Sequence, residues 1–149
     1  MSPEIPDKLA ETLDALSLVP DRSERIQLLI DTAEGFEDVP PRVATRPFPE
    51  EHRVPACESE AFVWAERRPD GRLDFHFAVE NPQGISAKAM AVILKKTLSG
   101  APLEQVAAVP QDVIYKVFGK ELSMGKSMGL MSMIGMVKTL AKRALEETL

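Results

Sequence analysis

Five prolines fall within residues 39–55 (Pro40, Pro41, Pro47, Pro49 and Pro55), and they restrict this chain more than any other feature. A proline has no N–H to give to a strand ladder, and inside a helix its ring collides with the preceding turn. No helical or strand period survives across the segment, so it must run as an irregular loop. Whatever regular structure the chain has lies on either side of it.

The N-terminal side reads as two helices. Leu9, Leu13 and Leu16 recur at i, i+4 and i+7, the apolar stripe of a short helix. Pro20 breaks the chain, and Asp21 followed by Glu24 resembles a capping box with Asp in the cap position. The helix so opened puts Ile26, Leu29, Ile30 and Ala33 on one face, with Gly35 as its stop. Beyond the prolines the period becomes two. Phe62, Val63 and Trp64 suit a pleated surface, and Pro69-Asp70-Gly71 is a turn in which Pro presets φ and Gly accepts φ > 0. Leu73, Phe75, Phe77 and Val79 then alternate with Asp74, His76 and Ala78, which predicts one buried face and puts His76 on the exposed or edge side. Residues 54–57 are expected to add a short first strand. The remainder is helical: residues 85–98, closed by Ser99-Gly100; two short helices over 102–108 and 110–117; and a last helix over about 127–145. Helices, then a hairpin, then helices predict an α+β fold, a small antiparallel sheet of about three strands backed by helices, in a single domain over residues 1–149.

Composition trims the function classes. A length of 149 residues suits one domain, and 44% hydrophobic residues is too many for disorder. No run approaches the ~18 consecutive apolar residues of a membrane span. The opening MSPEIPDKLAE has no basic stretch ahead of an apolar one, so no secretory leader is expected. A net charge of −5 lacks the basic footprint of a nucleic-acid binder. Charge is uneven, at −9 over residues 1–83 and +4 over residues 84–149, which lets the two halves attract each other.

There is one cysteine, Cys57, and two histidines, His52 and His76. These exclude an internal disulfide and are too few for a transition-metal site, and a lone thiol without an export signal suggests a reducing, cytoplasmic setting. Cys57 sits in Arg53-Val54-Pro55-Ala56-Cys57-Glu58-Ser59-Glu60, at the mouth of the expected sheet. A loop can expose a thiol, and small Ala56 would not crowd it, so Cys57 reads as a nucleophile. On local sequence it reads first as a buried structural residue, since free Cys is among the most buried types. Either histidine could serve as its base only if the fold brings them together. Ser123-Met124-Gly125-Lys126-Ser127-Met128-Gly129 precedes the last helix, with Ser127 a candidate N-cap. It is not a nucleotide-binding P-loop, because Lys120 stands where the first Gly is required and no strand leads into it. Met124, Met128, Met131, Met133 and Met136 crowd the same region, as core filler or as an adaptable binding surface. Gly129 and Gly135 inside the helix point to close approach of another element.

Three of these stretches resemble the SufE/CsdE family of sulfur-acceptor proteins, which work with cysteine desulfurases in iron–sulfur cluster assembly. A Gly-Cys-Gln-Ser-Gln-x-x-Trp-like stretch carries that family's acceptor cysteine, and it corresponds to Ala56-Cys57-Glu58-Ser59-Glu60-Ala61-Phe62-Val63-Trp64, one residue longer before the Trp. The family's Asp-Ser-Asp and Lys-Gly-Leu at the long central helix correspond to Asn81-Pro82-Gln83 and Lys88-Ala89-Met90. Its Leu-Ser/Thr-Pro-Ser-Arg-Ser-x-Gly-Leu corresponds to Leu122-Ser123-Met124-Gly125-Lys126-Ser127-Met128-Gly129-Leu130. The resemblance implies a SufE/IscU-like fold in which Cys57 accepts persulfide sulfur. It also implies pocket or docking roles for Glu58, Ser59, Asn81, Gln83, Lys126 and Ser127. The implied partners are a cysteine desulfurase of the SufS/CsdA kind, which carries the pyridoxal phosphate itself, and a downstream iron–sulfur scaffold. No cofactor or metal is implied on this chain. Glu58, Asn81, Gln83 and Lys126 depart from the family's Gln, Asp, Asp and Arg, and Lys lacks the planar fork of Arg. Two other readings stand beside it: a regulatory binding module in which Cys57 is dispensable, and a one-cysteine peroxide-reducing enzyme in which peroxide oxidises Cys57 directly.

Overall fold

A computed structural model describes residues 4–147; the first three residues of the segment read for a leader lie outside the described residues, as do the last two. The elements run α1 (Asp7–Ser17), α2 (Arg22–Glu34), a 3-10 turn (Glu50–His52), β1 (Ala61–Arg67), β2 (Leu73–Val79), α3 (Ile85–Leu98), α4 (Leu103–Ala107), α5 (Val113–Phe118) and α6 (Met124–Glu147). This is the expected α+β arrangement.

Local chemistry explains the boundaries. Asp21 caps α2 by accepting a hydrogen bond from Glu24 N–H at 2.9 Å. Leu9, Leu13 and Leu16 are buried as their spacing requires. In α2 only Leu29 and Ala33 are buried, while Ile26 is 47% exposed beside an open cleft, so the expected four-residue face is narrower than its sequence suggests. Arg25 fastens this corner, its guanidinium donating to the carbonyls of Leu16, Val19, Lys116 and Val117. Helix α6 begins three residues before the expected start. Ser123, not Ser127, accepts the first-turn hydrogen bond, from Lys126 N–H at 3.3 Å. Ser127 lies inside the first turn, buried.

The sheet has two strands rather than about three. β1 and β2 pair antiparallel, with Val63 opposite Phe77 and Trp64 opposite His76. The segment expected to form a further strand contributes only a bridge between Arg53 and Phe62 and the bond from Val54 N–H to Ala61 O at 2.8 Å. Pro55 then has no N–H to offer, and Ala56 turns to φ 57°, which takes the chain out of register.

Both faces of the hairpin are covered. Val63, Phe75 and Phe77 join the main core with α1, α3 and α6. Phe62, Trp64 and Ala78 form a second cluster, roofed by Val39, Val43, Ala44 and Phe48 of the proline-rich segment. Phe48 sits edge-on to Trp64 at 4.8 Å, and His52 stacks on the same indole at 5.2 Å. Arg46 anchors the roof with hydrogen bonds to Asp38 and Glu80. His76 is therefore buried rather than exposed or at an open face. Alternation along β2 is intact; what the alternation could not reveal is that the irregular segment folds back over the second face.

Beside His76, Glu66 accepts from Arg42 and, at 3.1 Å, from His76 Nε2. The Arg42 contact first, and His76 second, hold the Glu66 carboxyl below the usual carboxylate range. A depressed folded-state value contributes stability that is present above the unfolded value and is lost as pH falls through the folded one. Glu66→Gln is therefore expected to flatten the acid limb of the stability curve. Urea midpoints taken from about pH 7 to about pH 3 for the two proteins check it, with the difference closing at the acid end.

Candidate active site

Cys57 lies at the crest of a six-residue loop whose base is the Val54–Ala61 hydrogen bond. Its conformation is forced: Ala56 (φ 57°) and Glu60 (φ 53°) both sit in the left-handed region, which costs a non-glycine residue of order 1 kcal/mol. Cys57 O accepts from Glu60 N–H at 3.1 Å, closing a tight turn. On its far side the loop is tied to the end of β2, where Ser59 O accepts from Asn81 N–H and Glu60 O from Glu80 N–H, each at 3.1 Å. Asn81 also accepts at Oδ1 from Gln83 N–H at 2.9 Å, fixing the turn that opens α3.

Three glycines make room for this loop. A Cβ on Gly129 would stand 3.1 Å from both Ala56 O and Cys57 Cα, so α6 touches the cysteine's own backbone. One on Gly125, a turn earlier, would face Glu58 Oε1 at 3.7 Å, and one on Gly84 would collide with Ser59 at 2.9 Å. The close approach expected at Gly129 is thus an approach to Cys57. At Gly135 the neighbour is Gln111, whose Nε2 donates to Met131 O. The roles of Gly84 and Gly125 carry no signal in the sequence beyond the residue type itself.

The thiol is half-buried against the main core. Glu58 beside it is exposed, Ser59 half-buried, and Asn81 joins the cluster through its backbone. Gln83 is exposed at the start of α3. Lys126 is exposed on a cleft of about 790 Å3 that it shares with Ile26, Ile85 and Leu122. Ser127 is buried in the helix. No Cys–His pair forms: His52 is held by Val63 O at its Nδ1 and by the Trp64 ring, and His76 by Glu66. Met124 (80% exposed) and Met128 (53%) project from the α6 turns that carry Gly125 and Gly129, whereas Met133 is buried. The methionine cluster therefore divides between core and surface. No group of three or more His, Cys, Asp or Glu among the described residues could hold a metal ion.

The family model for SufE, described as an Fe-S metabolism associated domain, matches residues 10–141. The chain belongs to the SufE family. That match takes in the Cys57 loop, the start of α3 and most of α6, the three parts that meet at the site. This SufE-family chain is also similar to a solved structure, the solution structure of a hypothetical protein from Thermus thermophilus, at 25% identity and a TM-score of 0.75. The likeness covers 95% of this chain and 98% of that one. Comparison with curated proteins gives no match. Membership associates the chain with iron–sulfur metabolism, and no helix among its described residues is long and apolar enough to cross a membrane.

Proposed function

We propose that the chain is a sulfur acceptor that takes persulfide sulfur from a cysteine desulfurase onto Cys57 and passes it on to an iron–sulfur scaffold. The observation that carries this reading is the Cys57 loop: a lone thiol, partly shielded, on a constrained turn that α6 is shaped to admit. The Cys57 thiolate attacks the outer sulfur of the donor persulfide. A new S–S bond forms at Cys57, the donor's S–S bond breaks, and the donor cysteine leaves as a thiolate that takes up one proton. No outside oxidant is needed, and the rate follows thiolate fraction, leaving group and access, as in thiol–disulfide exchange. The partner's pyridoxal phosphate generates the persulfide, and removing the sulfur returns the desulfurase to its resting state, which stimulates turnover. The chemistry needs a free thiol, as the cytoplasm provides.

The surroundings suit docking. Exposed Met124 and Met128 give an adaptable apolar rim, and Glu58, Gln83 and Lys126 offer exposed polar groups to a partner. Ser59 and Asn81 position the loop through backbone hydrogen bonds, while Ser127 supports the first turn of α6.

Intact mass after incubation with a desulfurase from the same source and L-cysteine tests the proposal. The expected result is a gain of whole sulfur atoms, reversed by dithiothreitol and absent in Cys57→Ser. No gain with an active desulfurase that binds the chain would overturn the transfer step and leave a regulatory binding module.

A further inference from the structure

The cleft of about 790 Å3 beside Lys126 has room for several side chains and an apolar floor, made by Ile26 and Ile30 of α2, Ile85 of α3, Phe118 of α5 and Leu122. Two of these are open to solvent from different helices, Ile26 at 47% and Ile85 at 45%. Met124, 80% exposed, stands two residues from Lys126 on α6. Exposed large apolar side chains gathered around one recess mark an interaction surface, where the same residues scattered singly would not.

Charge at the cleft runs against that of the chain. The whole chain carries −5, yet Arg22, Arg25, Lys120 and Lys126 line the cleft against a single acid, Glu121. Glu121 is paired with Arg22, and the Arg25 guanidinium is spent on four backbone carbonyls. Lys120 and Lys126 make no ion pair among the described residues. Helices α3 and α6 both begin at the cleft, and neither has an acidic residue in its first turn, so their N-terminal ends add to the positive potential. Backbone geometry narrows the occupant further. The lining comes from helices and from the connection over residues 119–123, with no residue of β1 or β2. An extended peptide therefore finds no strand edge to pair with, whereas a helix satisfies its own backbone and presents only side chains. A second copy does not supply that helix: α1, which carries Asp7, Glu11 and Asp14 on its exposed face, buries Leu9, Leu13 and Leu16 in its own core.

We infer that this cleft is a docking groove for an acidic amphipathic helix of a partner protein. Apolar residues spaced i, i+3, i+4 and i+7 on that helix sit on Ile26, Ile85 and Leu122, and its flanking carboxylates face Lys120 and Lys126. The groove and the cysteine loop meet at the first turn of α6, where Gly125, next to Lys126, faces Glu58. The groove stands whether or not Cys57 accepts sulfur.

A blocked peptide of about 15 residues, with Leu at those spacings and Glu on its outer face, tests the groove when titrated into the isotope-labelled full chain and followed by amide chemical shifts. The expected result is saturable movement of the Ile26, Ile85 and Leu122 amides while those of residues 39–48 stay still. The same peptide with Lys in place of Glu, or with Pro at its centre, should bind about tenfold more weakly or worse. Lys120→Glu and Ile26→Glu, both at exposed positions, should each weaken the acidic peptide by about tenfold at a melting temperature close to the parent's. Groove amides that stay still up to about 1 mM peptide overturn the proposal, as does equal binding of the lysine or the proline peptide. Sedimentation of a dimer that Ile26→Glu dissociates would overturn it as well, by making a second copy the occupant.

Discussion

Gly129→Ala is expected to cut desulfurase-dependent sulfur loading of Cys57 by about tenfold or more while leaving global stability within about 2 kcal/mol of the parent. Two effects on folding oppose each other. Alanine gains up to ~1 kcal/mol over glycine inside a helix. Against that, the added Cβ would stand 3.1 Å from Ala56 O and Cys57 Cα, both backbone atoms that cannot rotate aside. Overpacking of this kind costs about 1–3 kcal/mol, and the relief available is to lift the cysteine loop off α6. Stability therefore changes little while the thiol moves. Gly135→Ala is the internal control on the same helix: the nearest atom there is the far end of the Gln111 side chain, which can swing away. That variant should be neutral to stabilising by up to ~1 kcal/mol, with loading unchanged. Mass spectrometry of the loading reaction beside urea denaturation separates the two. Equal loading by both variants would remove Gly129 from the account of the site.

Trp64→Ala is expected to cost about 3–5 kcal/mol. Its indole is buried, touches Phe48, Phe62 and His52, and carries the roof over the second face of the hairpin. Its removal leaves a cavity that Phe48 alone cannot fill, and the proline-rich segment has no regular backbone ladder to hold it in place. The loss should fall chiefly on residues 39–52, so limited proteolysis there should accelerate more than the loss in global stability requires. Thermal unfolding combined with a proteolysis time course checks both parts.

Most of the elements are readable in the sequence because their signals are local. The 3.6-residue stripe of Leu9, Leu13 and Leu16, the Asp21 cap and the strict alternation from Leu73 to Val79 each encode a conformation within a few residues. The departures come mainly from contacts distant in the chain. Alternation alone puts His76 on an exposed or edge face, because nothing near it reveals that residues 39–48 return to cover it. The third strand fails through the φ of Ala56, a position where residue type predicts nothing unusual. Ser127 carries a good capping side chain, yet Ser123 takes the position because α6 continues one turn farther back. At the candidate site, family motifs bring together the Cys57 loop, Asn81 and the start of α6, and the structure makes them neighbours through Gly84, Gly125 and Gly129. Lys126 instead faces a cleft lined by α2, the start of α3 and the segment before α6.

The ties on the cysteine loop have a thermodynamic consequence. From its crest onward the loop is held to the end of β2 by two backbone hydrogen bonds, at Ser59 and Glu60, while Pro55 and Ala56 on the other limb make no backbone hydrogen bond across the gap among the described residues. Two such bonds are worth about 1–3 kcal/mol together. Their loss alone would leave a detached form at roughly 1–15% of molecules, an upper bound, since the packing of Cys57 on Gly129 favours the closed form further. A partner that recognises the detached loop therefore has a standing minority to capture, and each tenfold preference it shows for that form shifts the balance by about 1.4 kcal/mol. On the proposed sulfur-transfer reading, closure would shield Cys57 between encounters while the two bonds that hold it shut add only about 1–3 kcal/mol to the cost of opening.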